Sequence, residues 1–330
     1  MFYKKLDGAE RICYNGNKKK RKEATALKRG IKIFVGLFLI ACFVCFPFVG
    51  CKKDERPQTK RVETENYIAY TDLAYGEHER QYLNLYLPKK TGKVGVYFAI
   101  HGGGWMAGDK TGYENELLTW CKKGYVAAAL NYRYASLEDC VSCADMLDDI
   151  TLALLRVKRT AEEHGIQTHK ALLTGGSAGA HLSMQYAYQK ADIAPITPVA
   201  VCSLSGPTDL LDENYYGSNP LKEEILKMFK NLCGYDFDES TIHIAEPLLK
   251  QASPLYYVTQ DSVPTILCHG VKDDIVPLSN AQAMDKRLTE LGVKHDFVVY
   301  SNSGHGLEAD PDCSARTDAL LQEYAETYLI

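Results

Sequence analysis

The sequence predicts an α/β protein with a mostly parallel, twisted sheet of about eight strands, helices on both faces and one small insertion. Three observations carry this expectation. Short apolar runs recur along the chain, several of them continuous enough for strands buried on both faces. Helical patterns with three-four spacing lie between those runs. Glycines and prolines mark off the segments. Strand–helix alternation of this kind implies parallel strands covered on both faces.

The elements follow in chain order. Residues 67–73 and 81–87 alternate apolar and polar side chains, with Leu83, Leu85 and Leu87 on one face and Pro88 as a stop. They read as opening antiparallel strands. Residues 94–100 and 125–130 are nearly continuous apolar runs, and 170–173, 198–204, 265–268 and 297–300 complete the strand set. Leu147, Ile150, Leu154, Val157 and Ala161 recur at helical spacing ahead of Gly165. Residues 279–291 form a second helix stopped by Gly292, and 317–329 a closing one. Residues 207–254 interrupt the rhythm. They hold no strong strand but one amphipathic helix, with Leu221, Ile225, Met228, Phe229 and Leu232 on one side and Gly234 after it. This stretch is either an insertion over the sheet near the active site or an ordinary surface excursion.

The first fifty residues read as an address rather than a fold. Residues 18–22 and 28–29 are basic, and no charge appears from Ile33 to Gly50. A basic segment before an apolar run is the pattern of a secretory signal. Pro47 breaks the run, and Phe48-Val49-Gly50-Cys51 resembles the lipobox of bacterial lipoproteins, which implies diacylglycerol on Cys51. The alternative is an uncleaved signal anchor. Either way the body is expected outside the cytoplasm, lipid-anchored at the bacterial cell envelope in the first case. Residues 51–65 are polar and read as a flexible tether. The catalytic domain is then expected to span 66–330.

Charge and cysteines narrow the function. The chain carries −4 overall, but eleven of its 38 basic and three of its 42 acidic residues lie at or before Cys51, leaving about −12 on the remainder. An acidic body argues against nucleic acid as a partner. Seven irregularly spaced cysteines follow the leader, so no disulfide framework is implied. The Cys140-x-x-Cys143 pair reads as structural or as a local disulfide, since a zinc site needs further ligands.

The chemical signal is Gly175-Gly176-Ser177-Ala178-Gly179, a G-x-S-x-G between a short apolar strand and a helix-compatible run. That context suits a nucleophile elbow, a strained turn that lifts a Ser hydroxyl clear of the sheet. His101-Gly102-Gly103-Gly104-Trp105 directly follows an earlier strand. Ester cleavage builds an oxyanion, and bare glycine amides can approach it closely. His269-Gly270-Val271-Lys272-Asp273-Asp274 follows another strand, and Gly304-His305-Gly306 lies after the last one. His305 is the natural general base. Asp273 and Asp274 compete as its orienting acid. In chain order the candidates run Ser, Asp, His. His101, His181 and His269 read as structural.

Together these four motifs resemble the α/β-hydrolase carboxylesterases, and within them the bacterial branch related to hormone-sensitive lipase and to feruloyl and acetyl-xylan esterases. The resemblance covers about residues 66–330 and extends to Leu83-Asn84-Leu85-Tyr86-Leu87-Pro88, where the family commonly has Asp in place of Asn84. It implies an α/β-hydrolase fold and a triad of Ser177, Asp273 and His305, choosing Asp273 over Asp274. It also implies oxyanion donors at Gly103, Gly104 and Ala178. Gly176 replaces the acidic residue of lipase-like members, which favours the polysaccharide-esterase side.

The expected activity is hydrolysis of short-chain carboxylic esters through an acyl-enzyme, acetyl or feruloyl esters of plant polysaccharides included. This route needs no metal and no organic cofactor. Two other readings stand beside it: an arylformamidase-like amide hydrolase and a catalytically silent surface-binding module. Tyr132, Tyr134, Tyr215 and Tyr216 either stack on a sugar or feruloyl group or simply pack.

Overall fold

The computed structural model describes residues 56–217 and 219–329. The signal segment and Cys51 lie outside the described residues. The strands, in chain order, are β1 (Lys60–Glu63), β2 (Tyr67–Ala74), β3 (Tyr82–Pro88), β4 (Gly92–Lys93), β5 (Val96–Ile100), β6 (Val126–Leu130), β7 (Ile166–Gln167), β8 (Lys170–Gly176), β9 (Thr197–Leu204), β10 (Thr265–Gly270) and β11 (His295–Tyr300). Nine of them form one sheet in the order β1-β2-β3-β6-β5-β8-β9-β10-β11, while β4 and β7 pair separately. The β1–β2, β2–β3 and β3–β6 pairs are antiparallel, and every pair from β6 to β11 is parallel.

The ninth strand was not legible. β1 lies inside the stretch expected to be a tether, and all four of its residues are exposed. Its antiparallel register with β2, from Lys60 opposite Thr71 to Glu63 opposite Ile68, is a backbone matter that leaves no apolar alternation to read. The central strands behave as their composition demands. Every residue of β5 and β6 is buried. Alternate side chains of β5 serve opposite layers: Val96, Phe98 and Ile100 on one side, Tyr97 and Ala99 on the other.

The helices are α1 (Glu114–Lys122), α2 (Cys143–Glu162), α3 (Ala178–Lys190), α4 (Lys222–Cys233), α5 (Ile242–Gln251), α6 (Leu278–Glu290) and α7 (Pro311–Tyr328). Leu117 and Trp120 of α1 join Leu321, Tyr324 and Ala325 of α7 in one core layer. Buried residues of α2, α3 and α6 fill the other. α2 starts on a capping box, with the Ser142 hydroxyl and N–H both donating to the Asp145 carboxylate at 3.0 Å. Cys143 is buried at the start of α2, Cys140 is exposed, and both thiols are free, so the local disulfide is not formed. Among the described residues no helix is long and apolar enough to cross a membrane.

The stretch expected as an insertion contains two helices rather than one. α4 ends on Gly234 at φ +66°, a left-handed cap that glycine adopts freely. Buried Ile225, Leu226, Phe229 and Leu232 form its inner face. α5 carries Pro247 in its interior, a residue that reads as a breaker and hid the helix in the sequence.

The sheet order changes direction between β5 and β8: from β5 the chain steps to β6, which fills the place between β5 and β3, and it then crosses to β8 on the other side and continues outward through β9, β10 and β11. Ligands of open α/β sheets bind at such a switch point, beyond the carboxyl ends of the strands. The His101 loop follows β5 there, and Ser177 follows β8.

Candidate active site

Ser177 sits between the last residue of β8 and the first of α3, with φ 54° and ψ −121°. An L-residue rarely holds that backbone, and the surrounding structure must enforce it. Its N–H donates to the Leu204 carbonyl at the end of β9, at 2.8 Å. The flanking glycines are required for packing. A Cβ on Gly175 or Gly179 would collide with the Ile100 carbonyl at the end of β5. The turn is thereby pressed against the strand that launches the His101 loop. Ala178 is the first residue of α3, so its N–H has no partner within the helix.

The His101 loop is fixed from three directions. Gly103 holds φ +107° and its carbonyl accepts the N–H groups of Met106 (3.1 Å) and Ala107 (2.9 Å). Trp105 is buried at φ 61°, and its indole N–H donates to Nδ1 of His181 on α3 at 3.1 Å. His181 Nε2 then donates to the Ala252 carbonyl at 2.6 Å, which defines a neutral ring. Burial pushes the His181 imidazole down to about 4. Arg80 completes the brace: its guanidinium donates to the carbonyls of Tyr132 (2.9 Å) and Gly108 (3.1 Å) and lies 3.5 Å from the centre of the Tyr134 ring. His101 stacks on Tyr132 at 4.3 Å, and burial likewise takes its imidazole down to about 4.

His305 and Asp273 meet as expected. His305 Nδ1 lies 2.8 Å from Asp273 Oδ2. The carboxylate forces the proton onto Nδ1, leaving Nε2 as the acceptor. Asp273 Oδ1 accepts the N–H groups of Ile275 (3.0 Å) and Val276 (2.9 Å). Its side chain is fully buried. Burial alone would raise its pKa, but hydrogen bonds from His269 and His305 hold it well below the usual carboxylate range. His269 stands behind it, with Nε2 at 3.3 Å from Asp273 Oδ2 and 2.8 Å from the Val276 carbonyl. Asp274 is exposed, and the carboxylate bonded to the imidazole is that of Asp273.

The loop carrying His305 has its own support, which the sequence did not reveal. Asp310, just ahead of α7, accepts the Ser303 hydroxyl at 2.6 Å, the Asn302 N–H at 2.9 Å and the Asn302 side-chain amide at 2.8 Å. Ser303 also accepts the Ala309 N–H at 3.0 Å, closing the loop on itself. A Cβ on Gly270 would collide with the Gly304 carbonyl, so the end of β10 and the His305 loop touch backbone to backbone.

Two cavities open on Ser177 and His305. One, of about 370 Å³, runs past Gly103, Gly104 and Trp105 to Ile225, Met228 and Phe229 of α4. It is apolar, and it places the 207–254 stretch against the site rather than at a remote surface. The other, of about 690 Å³, lies between α1 and α7. Tyr132, Tyr134 and Tyr216 are tied into the fold, while Tyr215 also lines the apolar cavity. Tyr132 and Tyr215 are fully buried. Tyr134 donates to the Gly108 carbonyl at 2.6 Å and Tyr216 to the Leu210 carbonyl at 2.5 Å.

A parallel sheet with a strained Ser after β8, a Gly-rich loop after β5 and an Asp–His pair after β10 and β11 defines an α/β-hydrolase. Residues 83–288 match the BD-FAE family model, and the chain belongs to that family. A probable carboxylic ester hydrolase, LipM of Mycobacterium tuberculosis, is 28% identical over 252 residues, covering 72% of this chain and 55% of that protein. The isoprenylcysteine alpha-carbonyl methylesterase ICME of Arabidopsis thaliana is 23% identical, covering 76% and 57%. The chain thus spans about half the length of the curated relatives it matches. Among solved structures, a truncated carbohydrate esterase from gut microbiota superposes with a TM-score of 0.63 at 21% identity, covering 80% of this chain and 99% of that one. Esterase B from Lactobacillus rhamnosis gives 0.61 at 20% identity, covering 80% and 90%. These likenesses show the α/β-hydrolase fold.

Proposed function

We propose that the chain is a serine esterase that hydrolyses short-chain carboxylic esters through an acyl-enzyme on Ser177. The observation that carries this reading is the 2.8 Å contact between His305 Nδ1 and Asp273, beside a cavity that Ser177 and His305 share with Gly103 and Gly104. In this reading His305 Nε2 takes the Ser177 proton as Oγ attacks the ester carbonyl. The oxyanion is received by the N–H groups of Gly103, Gly104 and Ala178. The imidazolium, stabilised by Asp273, returns the proton to the leaving alcohol, and water repeats the sequence to release the acid. Relatives and solved neighbours named as esterases support the ester over the amide, and an intact Ser, His and Asp set weighs against a silent binding module.

The apolar cavity of about 370 Å³ is our candidate for the acyl group. We take acetyl and feruloyl esters of plant polysaccharides as the substrate range to test first. The experiment is labelling with a fluorophosphonate probe, followed by kcat/KM on acetyl, butyryl, feruloyl and formyl-amide substrates. Labelling at Ser177 with ester turnover supports the reading; turnover of the formyl amide alone overturns it. We further propose export and lipid attachment through Cys51, which would hold the enzyme at the cell envelope.

A further inference from the structure

We propose that Cys143 and Cys233 are a redox-active pair, and that their oxidation to a disulfide fixes α4, the wall of the acyl cavity, to α2. The motif Cys140-x-x-Cys143 suggests a different partner, but the geometry disfavours it. Cys140 is held at φ 56° beside the Ser136–Val141 bridge, and its thiol is turned to the Leu137 carbonyl at 3.9 Å. Cys143 and Cys233 instead open on one space. A cavity of about 260 Å³ lies among α2, α3, α4 and α5, and both residues line it while Cys140 does not.

The backbone brings the ends of the two helices together. A Cβ built on Gly234, next to Cys233, would stand 3.5 Å from the Cβ of Ser142, next to Cys143. A disulfide spans β-carbons about 3.5–4.5 Å apart. The Leu137 N–H also donates to Asn231 Oδ1 at 2.9 Å, which ties the loop ahead of α2 to the same end of α4. Four described thiols stand apart from the pair. Cys121, Cys202 and Cys268 belong to the opposite core layer, and Cys313 packs against it. Cys143 lies in the layer of α2, α3 and α6, and Cys233 packs on that layer. Burial raises both thiols, Cys143 to about 12, and Cys143 raises Cys233 further.

The oxidant is a small disulfide such as oxidised glutathione. The thiolate of Cys233, which is partly exposed, attacks one glutathione sulfur and releases the other half as a thiolate. The Cys143 thiolate then attacks the Cys233 sulfur, and the second glutathione leaves. Two cysteine thiols are oxidised, one glutathione disulfide is reduced, and the two protons end on the released thiols. Phe229, one turn before Cys233 on α4, lines the acyl cavity with Met228. Joining Cys233 to α2 fixes that wall, so an acyl group that needs the wall to shift loses more rate than acetyl does. This consequence rests on the serine esterase reading; the pairing itself does not.

The full chain is reduced, incubated with oxidised glutathione and mapped by peptide mass spectrometry without reduction. The expected product is a Cys143–Cys233 peptide pair, about 2 Da lighter than the two reduced peptides together. It should form in the wild-type chain and in Cys140→Ser, and not in Cys143→Ala or Cys233→Ala. In parallel, kcat/KM is measured on p-nitrophenyl acetate and butyrate before and after oxidation. The butyrate-to-acetate ratio should fall severalfold in the wild-type chain and stay constant in Cys233→Ala. A Cys140–Cys143 link, or glutathione left on Cys233 without a link, overturns the pair. A Cys143–Cys233 link with an unchanged ratio overturns its coupling to the acyl cavity. No turnover of either ester overturns the esterase reading, while the peptide map still decides the pair.

Discussion

The Trp105 indole N–H donates to His181 Nδ1 at 3.1 Å, joining the loop after β5 to the helix after Ser177. The loop and the helix carry the proposed oxyanion donors, so this bond sets their separation. Trp105→Phe keeps an aromatic ring but removes the fused pyrrole from a buried position, opening a void, and leaves a buried imidazole nitrogen unpaired, which alone costs about 1–3 kcal/mol. We expect lower stability in urea and a fall in kcat larger than the change in KM. A double-mutant cycle with His181→Phe should show coupling; purely additive losses would contradict the proposed link.

The triad assignment is tested residue by residue. Ser177→Ala should lower kcat by about four to six orders of magnitude with the fold intact. Asp273→Asn should cost about 10⁴-fold, because the wrong His305 tautomer is then favoured. Asp274→Asn should be mild, since Asp274 is exposed. A crippled Asp274→Asn beside a mild Asp273→Asn would reverse the assignment.

Acid should destabilise the domain through His101 and His181. Both imidazoles sit at about 4 in the folded chain, against an ordinary 6.5. The unfolded chain therefore binds protons that the folded chain refuses between those values. Their contribution is complete above about pH 6.5 and is lost as pH falls toward 4, by roughly 3 kcal/mol each at most. Urea midpoints measured from pH 7 to 4.5 should fall; a flat profile would count against two neutral buried rings.

Acyl length should be limited by the wall of α4. Activity on p-nitrophenyl esters should fall steeply beyond short chains, because a filled apolar pocket rejects an extra methylene at a cost of about 1–3 kcal/mol. Met228→Ala should extend the cavity and move the optimum to longer acyl groups, since Met228 closes on the Gly104 side. An optimum at long chains in the wild-type enzyme, with activation at an oil–water interface, would reject this.

Labelled palmitate should enter the full-length protein in cells and be lost in Cys51→Ser. Mature protein that retains peptides ahead of Ile33 would disprove the lipoprotein proposal.

The catalytic loops were readable because each lies at a strand end marked by glycine, and the strands beside them are buried on both faces. The residues behind them were not. His181 reaches Ala252 across 71 positions, and Asp310 reaches back to Asn302 and Ser303 through side-chain oxygens that any polar loop contains. Nothing next to Arg80 in the sequence marks it as a brace, because its partner Tyr134 lies 54 positions away. β1 and α5 were missed for opposite reasons: one has no buried face at all, and the other contains a proline that tertiary packing tolerates.

Position 177 also sets a ceiling on how comfortable this fold can be while it remains active. A side chain at φ 54° and ψ −121° costs of order 1–3 kcal/mol, which glycine would largely remove. Ser177→Gly should therefore melt above Ser177→Ala, although both lack the nucleophile. The difference between those two melting temperatures measures how much backbone tension the molecule carries in order to present one hydroxyl.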